Sequence, residues 1–291
     1  MVSLKDVLFA KHMISDVISR TALIHDEVIL NNVNGNEVFL KMENLQRTGS
    51  FKLRGAYNKI SGLTDEERRC GVIASSAGNH AQGVAFAAQT YGIAATIVMP
   101  RHAPLSKVKS TQAMGAKVVL HGDVYDDAYA EAMRLQQETG ATFIHPFNDP
   151  LVIAGQGTIG MEIMEDLPDV NAVMVPIGGG GLIAGVAATI KQINRGVRVI
   201  GVQAKNMPAM EMSFKSGALV SYSGETTLAD GIAVKNPGDL TFELIKKYVD
   251  DIVTVDEDEI AQAILFLLEK AKTVAEGAGA VSVAAALRDN P

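Results

Sequence analysis

The chain has one cysteine, Cys70, no tryptophan, and aromatic residues at only 5% of its 291 positions. A lone thiol forms no internal disulfide and builds no thiolate metal cage, so a disulfide framework is excluded and the usage fits a reducing compartment. Basic charge is also short: 26 Lys and Arg stand against 33 Asp and Glu, for a net charge of −7. The average field therefore repels phosphate backbones and anionic membranes, and no local basic patch offsets it. No nucleic-acid or membrane partner is expected. The start, Met1 to Asp6, runs into alternating charges and does not read as a signal peptide, so the expected address is the cytoplasm. The charge-free stretch from Asn171 to Ile190 is long enough to mimic a membrane span, but Pro176 and Gly178 to Gly181 divide it into strand, loop and helix.

What is present is a soluble globular composition, 47% hydrophobic and 20% charged. A length of 291 residues suggests two domains, since it exceeds what one core usually serves. Short β-rich apolar runs alternate with longer amphipathic segments, the pattern of parallel strands joined by crossover helices. The runs Val72 to Ala74, Thr96 to Met99, Lys117 to Leu120 and Thr142 to Ile144 are expected strands. The segments between them are expected helices: one from about Asn79, one ending before Gly115, and one from about Tyr125 to Glu138. A second series follows, with strands at Ala172 to Val175 and Val199 to Val202, a helix through Ile193 between them, and a later helix capped by Asp256 to Glu259 and running to about Lys272. The expected fold is α/β: two open twisted parallel-sheet domains with flanking helices and a ligand site in their crevice.

Three segments carry candidate chemistry. Gly178 to Gly181 lies directly between a strand and a helix, where backbone N–H groups and the helix N-terminus can cradle a phosphate. The bland alternative is a tight turn that needs glycine only for its dihedrals. Gly179-x-Gly181-x-x-Ala184 also satisfies a dinucleotide fingerprint, but the next strand ends at Val202 to Lys205 without the carboxylate that would hold a ribose. A nicotinamide cofactor is disfavoured. Lys52 begins a helix, where the dipole and burial depress an amine pKa as a Schiff-base lysine requires, although most lysines simply cover solvated faces. Ser75 to His80 opens another helix with hydroxyl, amide and backbone donors that suit a carboxylate or a ring oxygen, or merely cap the helix. Together these are an amine, an oxyanion grip and a phosphate cradle, the set that pyridoxal phosphate needs.

At these residues the chain resembles the pyridoxal-phosphate-dependent serine/threonine dehydratases of fold type II (tryptophan synthase β-like), and most of all the catabolic threonine dehydratases. The motifs are Glu43 to Lys52, Ser76 to Gly83, Ala154 to Thr158 and Pro176 to Leu182, with weaker matches at Ala229 to Gly231 and Glu276 to Ala280. The resemblance implies that Lys52 holds the cofactor covalently, Phe51 packs on its ring, Asn79 bonds the ring hydroxyl, and Gly178, Gly179, Gly180, Gly181 and Leu182 hold its phosphate. Ser76, Ala77, Gly78 and Asn79 would grip the substrate carboxylate, and Ala229, Asp230 and Gly231 would line the substrate side. It further implies a small mobile domain of residues 46–145 within a larger one of 1–45 and 146–291, a homodimer or homotetramer, and AMP as a nucleotide effector. The implied reaction converts L-threonine to 2-oxobutanoate and ammonia, with L-serine as a second substrate giving pyruvate.

Three departures matter. Related serine racemases carry a serine base at the position of Ala77, and a methyl group shuttles no proton, which favours elimination over racemisation. Their divalent-metal carboxylates align with Gln203 and Ala209, with only Glu276 acidic here, so no divalent metal site is expected and the alternatives are a monovalent cation or none. The family's Ser/Cys-Gly-Gly-Asn segment, whose first residue contacts the pyridine nitrogen, would fall after Pro291. The rivals are a β-replacement enzyme of the same fold, a nicotinamide oxidoreductase and a noncatalytic remnant. His80 and His145 are read as structural or loop residues, Cys70 as a small core or edge residue, and the twelve methionines as core filling.

Overall fold

The computed structural model describes residues 2–25 and 35–288. In chain order the elements are α1 (Leu4–Ile14), β1 (Leu23–Ile24), β2 (Leu40–Lys41), α2 (Lys52–Ser61), α3 (Asp65–Cys70), β3 (Val72–Ser75), α4 (Asn79–Thr90), β4 (Ala95–Met99), α5 (Leu105–Ala113), β5 (Lys117–Leu120), α6 (Tyr125–Thr139) and β6 (Thr142–Phe143). They continue with α7 (Pro150–Asp166), β7 (Ala172–Pro176), α8 (Gly181–Ile193), β8 (Arg198–Ala204), α9 (Ala209–Ser216), α10 (Asp239–Tyr248), β9 (Asp251–Val255), α11 (Glu257–Glu269) and α12 (Gly277–Leu287).

Two parallel sheets form, as the alternating pattern predicts. The first has the order β5-β4-β3-β6, with Val72 opposite Ala95 and Thr142, and Thr96 opposite Lys117. The second has the order β7-β8-β9, with Val173 opposite Val199 and Ile200 opposite Asp251. Central strands are buried because helices cover both faces: every residue of β3 is buried, as is β8 after Arg198. Separate apolar clusters underlie the sheets, one around Ala74, Ile97 and Met99, the other around Ile153, Ile183 and Val199. Among the described residues no helix is long and apolar enough to cross a membrane; the charge-free stretch splits at Pro176 and Gly181.

The helix after β9 ends at Glu269, short of the expected Lys272, because the chain reverses there: Lys272 takes a left-handed φ of 51° and Thr273 N–H bonds back to Leu267 O. Asp256 caps that helix through a reciprocal bond pair with Glu259. Cys70, expected in the core or at an edge, is exposed at the last residue of α3.

Helix α7 positions the site and left no periodic trace in the sequence, since every residue from Val152 to Met164 is buried. It lies between α2 and α8 at a separation only glycine allows. A Cβ on Gly55 would stand 2.7 Å from Val152 O, one on Gly155 2.6 Å from Arg54 O, and one on Gly185 2.3 Å from Ile153 O. The contact is locked by charge. Arg54, fully buried, donates to both oxygens of Glu43 (2.8 and 2.9 Å) and of Glu162 (2.6 and 3.0 Å). Burial pushes the Glu162 carboxyl up, but the bonds from Arg54 and Lys41 outweigh it and its pKa is lowered.

Candidate active site

Lys52 is the first residue of α2, so its backbone is anchored by the α2–α7 packing while its side chain points into a cavity of about 1310 Å³. That volume exceeds the roughly 300–1,000 Å³ of ordinary small-molecule sites because the cavity continues as a groove beside β7, past Val173 and Met174. The amine donates to the Pro146 carbonyl at 3.1 Å and lies 5.3 Å from the centre of the Phe51 ring. Burial lowers its pKa from 10.5 to about 8, with Glu276 pulling weakly the other way. A substantial neutral fraction near physiological pH follows.

Opposite the amine, β7 ends at Pro176 and α8 begins at Gly181. Gly180 caps the helix with φ of 93°, and Ala184 N–H is the first to bond back, to Gly180 O. The preceding amides of that first turn have no intrahelical acceptor and face an incoming anion. Side chains fill the space behind the loop. A Cβ on Gly179 would stand 2.3 Å from the Phe147 ring, one on Gly181 2.8 Å from Phe147 Cα, and one on Gly180 2.9 Å from Ile245 Cδ1. Glycine is therefore required at Gly180 by its dihedral angle, and at Gly179 and Gly181 by packing against Phe147.

The third wall follows β3. Ser76, Ala77, Gly78 and Asn79 line the cavity at the start of α4, and Ser76 Oγ accepts from Gly78 N–H at 3.1 Å. Asn79 Nδ2 donates to Glu276 Oε1 at 2.7 Å. Desolvation, and then Asp230, push the Glu276 pKa up. Ser75 Oγ, fully buried beside this wall, has no partner among the described residues. His80 is structural: its Nε2 meets Ile144 O at 2.8 Å, and burial, followed by the Lys52 charge, lowers its pKa to about 3. His145 lies in a loop and is held neutral by burial, with its pKa lowered to about 4.

The cavity thus gathers Phe51, Lys52, Ser76 to Asn79, Gly178 to Leu182, Asp230 and Gly231. Ala229 is fully buried and packs in the core behind it. Pro146 and Phe147 were not singled out in the sequence, although two prolines bracketing Phe147 to Asp149 after a strand are a signal for a rigid turn. Among the described residues no three His, Cys, Asp or Glu side chains cluster to hold a metal ion. A buried amine of lowered pKa, a glycine cradle backed by packed side chains and an unpartnered buried hydroxyl fit a phosphorylated aldehyde held at both ends.

The comparisons with known proteins agree with that fit. The sequence model of the family described as pyridoxal-phosphate dependent enzyme matches residues 14–291. The L-threonine ammonia-lyase of Thermotoga maritima is 64% identical over 287 residues, 99% of this chain and 71% of that protein. The catabolic L-threonine dehydratase TdcB of Escherichia coli (strain K12) is 51% identical over 98% of this chain and 87% of its own length. Among solved structures, maize serine racemase superposes with a TM-score of 0.96 at 37% identity, covering 99% of this chain and 87% of the racemase.

Proposed function

The chain belongs to the pyridoxal-phosphate-dependent enzymes, and from that premise we propose that it is an L-threonine ammonia-lyase, converting L-threonine to 2-oxobutanoate and ammonia and L-serine to pyruvate. The observation that carries the reading is the Lys52 amine, with its pKa lowered to about 8, in one cavity with the glycine loop and the start of α4.

In this reading Gly178 to Leu182 would hold the cofactor phosphate on their backbone amides, Lys52 would bond its aldehyde carbon, Phe51 would pack on its ring and Asn79 would hydrogen-bond its ring hydroxyl. The bound cofactor supplies an electron-accepting ring that disperses the charge left when Cα loses its proton. Ser76 to Asn79 grip the substrate carboxylate and thereby fix which Cα bond faces the amine. Asp230 and Gly231 close the substrate side. Lys52 would be the base: once the substrate amine has displaced it from the cofactor aldehyde, its freed amine would accept the Cα proton, and the burial that lowers its pKa favours the neutral form that can do so. The β-hydroxyl would take up one proton, balancing the one removed from Cα, and leave as water; the released enamine tautomerises and is hydrolysed by a second water to the 2-oxo acid and ammonia.

Ala77 separates this outcome from racemisation. Inverting Cα needs a second proton donor on the opposite face, and the methyl group at this position offers none. The remaining attributes follow the resemblance to catabolic dehydratases: residues 46–145 act as a mobile domain against 1–45 and 146–291, the enzyme is a cytoplasmic homodimer or homotetramer, and AMP is an effector.

The test is spectroscopic and chemical. Protein supplied with pyridoxal phosphate should absorb in the violet and release 2-oxobutanoate from L-threonine, and Lys52→Ala should abolish both. Retained turnover in that variant would overturn the assignment.

A further inference from the structure

The segment leaving β6 touches both ends of the site. Its Pro146 carbonyl holds the Lys52 amine, and its Phe147 occupies the space behind Gly179 and Gly181. The same segment is tied to α10. Asn148 Nδ2 donates to Asp239 Oδ1 at 2.7 Å, while Asn148 Oδ1 accepts from the amides of Leu240 (3.1 Å) and Thr241 (3.4 Å). Those amides lie in the first turn of α10, where no intrahelical acceptor exists, so Asn148 caps a helix distant in sequence. Thr241 completes the circuit. Its fully buried hydroxyl lies 2.7 Å from Gly179 O and 3.0 Å from Gly238 O, and its single proton serves the nearer acceptor.

We infer that Asn148 and Thr241 are positioning residues, a clamp that fixes the glycine loop relative to the Lys52 amine so that anion cradle and amine form one frame. The inference rests on the reading that the loop takes the cofactor phosphate and Lys52 its aldehyde. A ligand spanning both ends depends on the spacing the clamp sets. A ligand that engages only the amine does not.

The experiment compares two ligands, pyridoxal phosphate and unphosphorylated pyridoxal, titrated into cofactor-free protein and read by absorbance. Thr241→Val keeps the side-chain shape and removes the hydroxyl, leaving a buried carbonyl without its donor. It should lower the preference for pyridoxal phosphate over pyridoxal by about tenfold, the size of one lost buried hydrogen bond, with pyridoxal affinity near that of the unsubstituted protein. Thr241→Ser should restore the preference. Asn148→Ala should reproduce the loss, and supplies the same reading should Thr241→Val fail to fold. An unchanged preference in folded variants would overturn the clamp, as would equal weakening of both ligands, the signature of general loosening. Failure of the underlying reading is separate: unsubstituted protein would then show no preference for the phosphorylated ligand, or Lys52→Ala would keep the violet band.

Discussion

Replacing Lys52 with methionine should stabilise the cofactor-free protein at neutral pH. The amine pKa falls from 10.5 to about 8 on folding, because burial penalises the charged form and Glu276 offsets little of that. Below pH 8 the folded chain therefore carries a poorly solvated charge, and the penalty is at full size. Between pH 8 and 10.5 the unfolded chain still holds the proton that the folded chain has released, so stability rises with pH across this window. Above it both forms are neutral and the penalty is gone. At 1.36 kcal/mol per tenfold change in proton affinity, a fall from 10.5 to about 8 corresponds to about 3 kcal/mol. Methionine also removes the N–H bound to Pro146 O, and one lost hydrogen bond costs about 1 kcal/mol. The expected net gain is about 2 kcal/mol at pH 7. Urea unfolding of both proteins, followed by circular dichroism at pH 7 and again near pH 10.5, measures it. A variant no more stable at pH 7, or a gain that persists at the higher pH, would refute the premise that folding desolvates this amine.

Three further outcomes are expected. Gly179→Ala drives a Cβ into the Phe147 ring at 2.3 Å and should cost about 1–3 kcal/mol in thermal unfolding, partly recovered by Phe147→Leu; a neutral effect would show that the loop is not packed as described. Glu162→Ala leaves the fully buried Arg54 and its neighbour Lys41 short of a carboxylate, so the denaturation midpoint should fall by the equivalent of about 3–5 kcal/mol, and a change within experimental scatter would count against the buried network. Ala77→Ser places a hydroxyl in the cavity wall and should give D-serine from L-serine, measured by chiral chromatography, where the unsubstituted enzyme gives none; an active variant forming no D-serine would remove Ala77 as the determinant.

Much of this architecture was legible because its causes are local. Strands β3, β4, β5, β7 and β8 begin and end within a residue or two of their apolar runs, and the turns between them are marked by Pro100, Gly115, Pro176 and Gly178 to Gly181. The glycine loop, Lys52 and Ser76 to Asn79 were visible for the same reason: each lies at the start of a helix, where residue type largely dictates what the backbone can present. Helix α7 was not legible, since a helix buried on every side carries no face-to-face contrast.

The sequence by itself therefore determined the alternation of strands and helices, the parallel sheets that follow from it, and the three helix starts that carry the candidate groups. Only the tertiary structure decided what those groups are. The Lys52 pKa depends on how much water the packing of α2 against α7 excludes, and the narrow gap that Gly55 and Gly155 permit is a property of two helices about a hundred residues apart. The bonds among Pro146, Asn148, Thr241 and Gly179 likewise join residues far apart in the chain. Desolvation and long-range hydrogen bonding are set by neighbours in space, and no local pattern of residues encodes them.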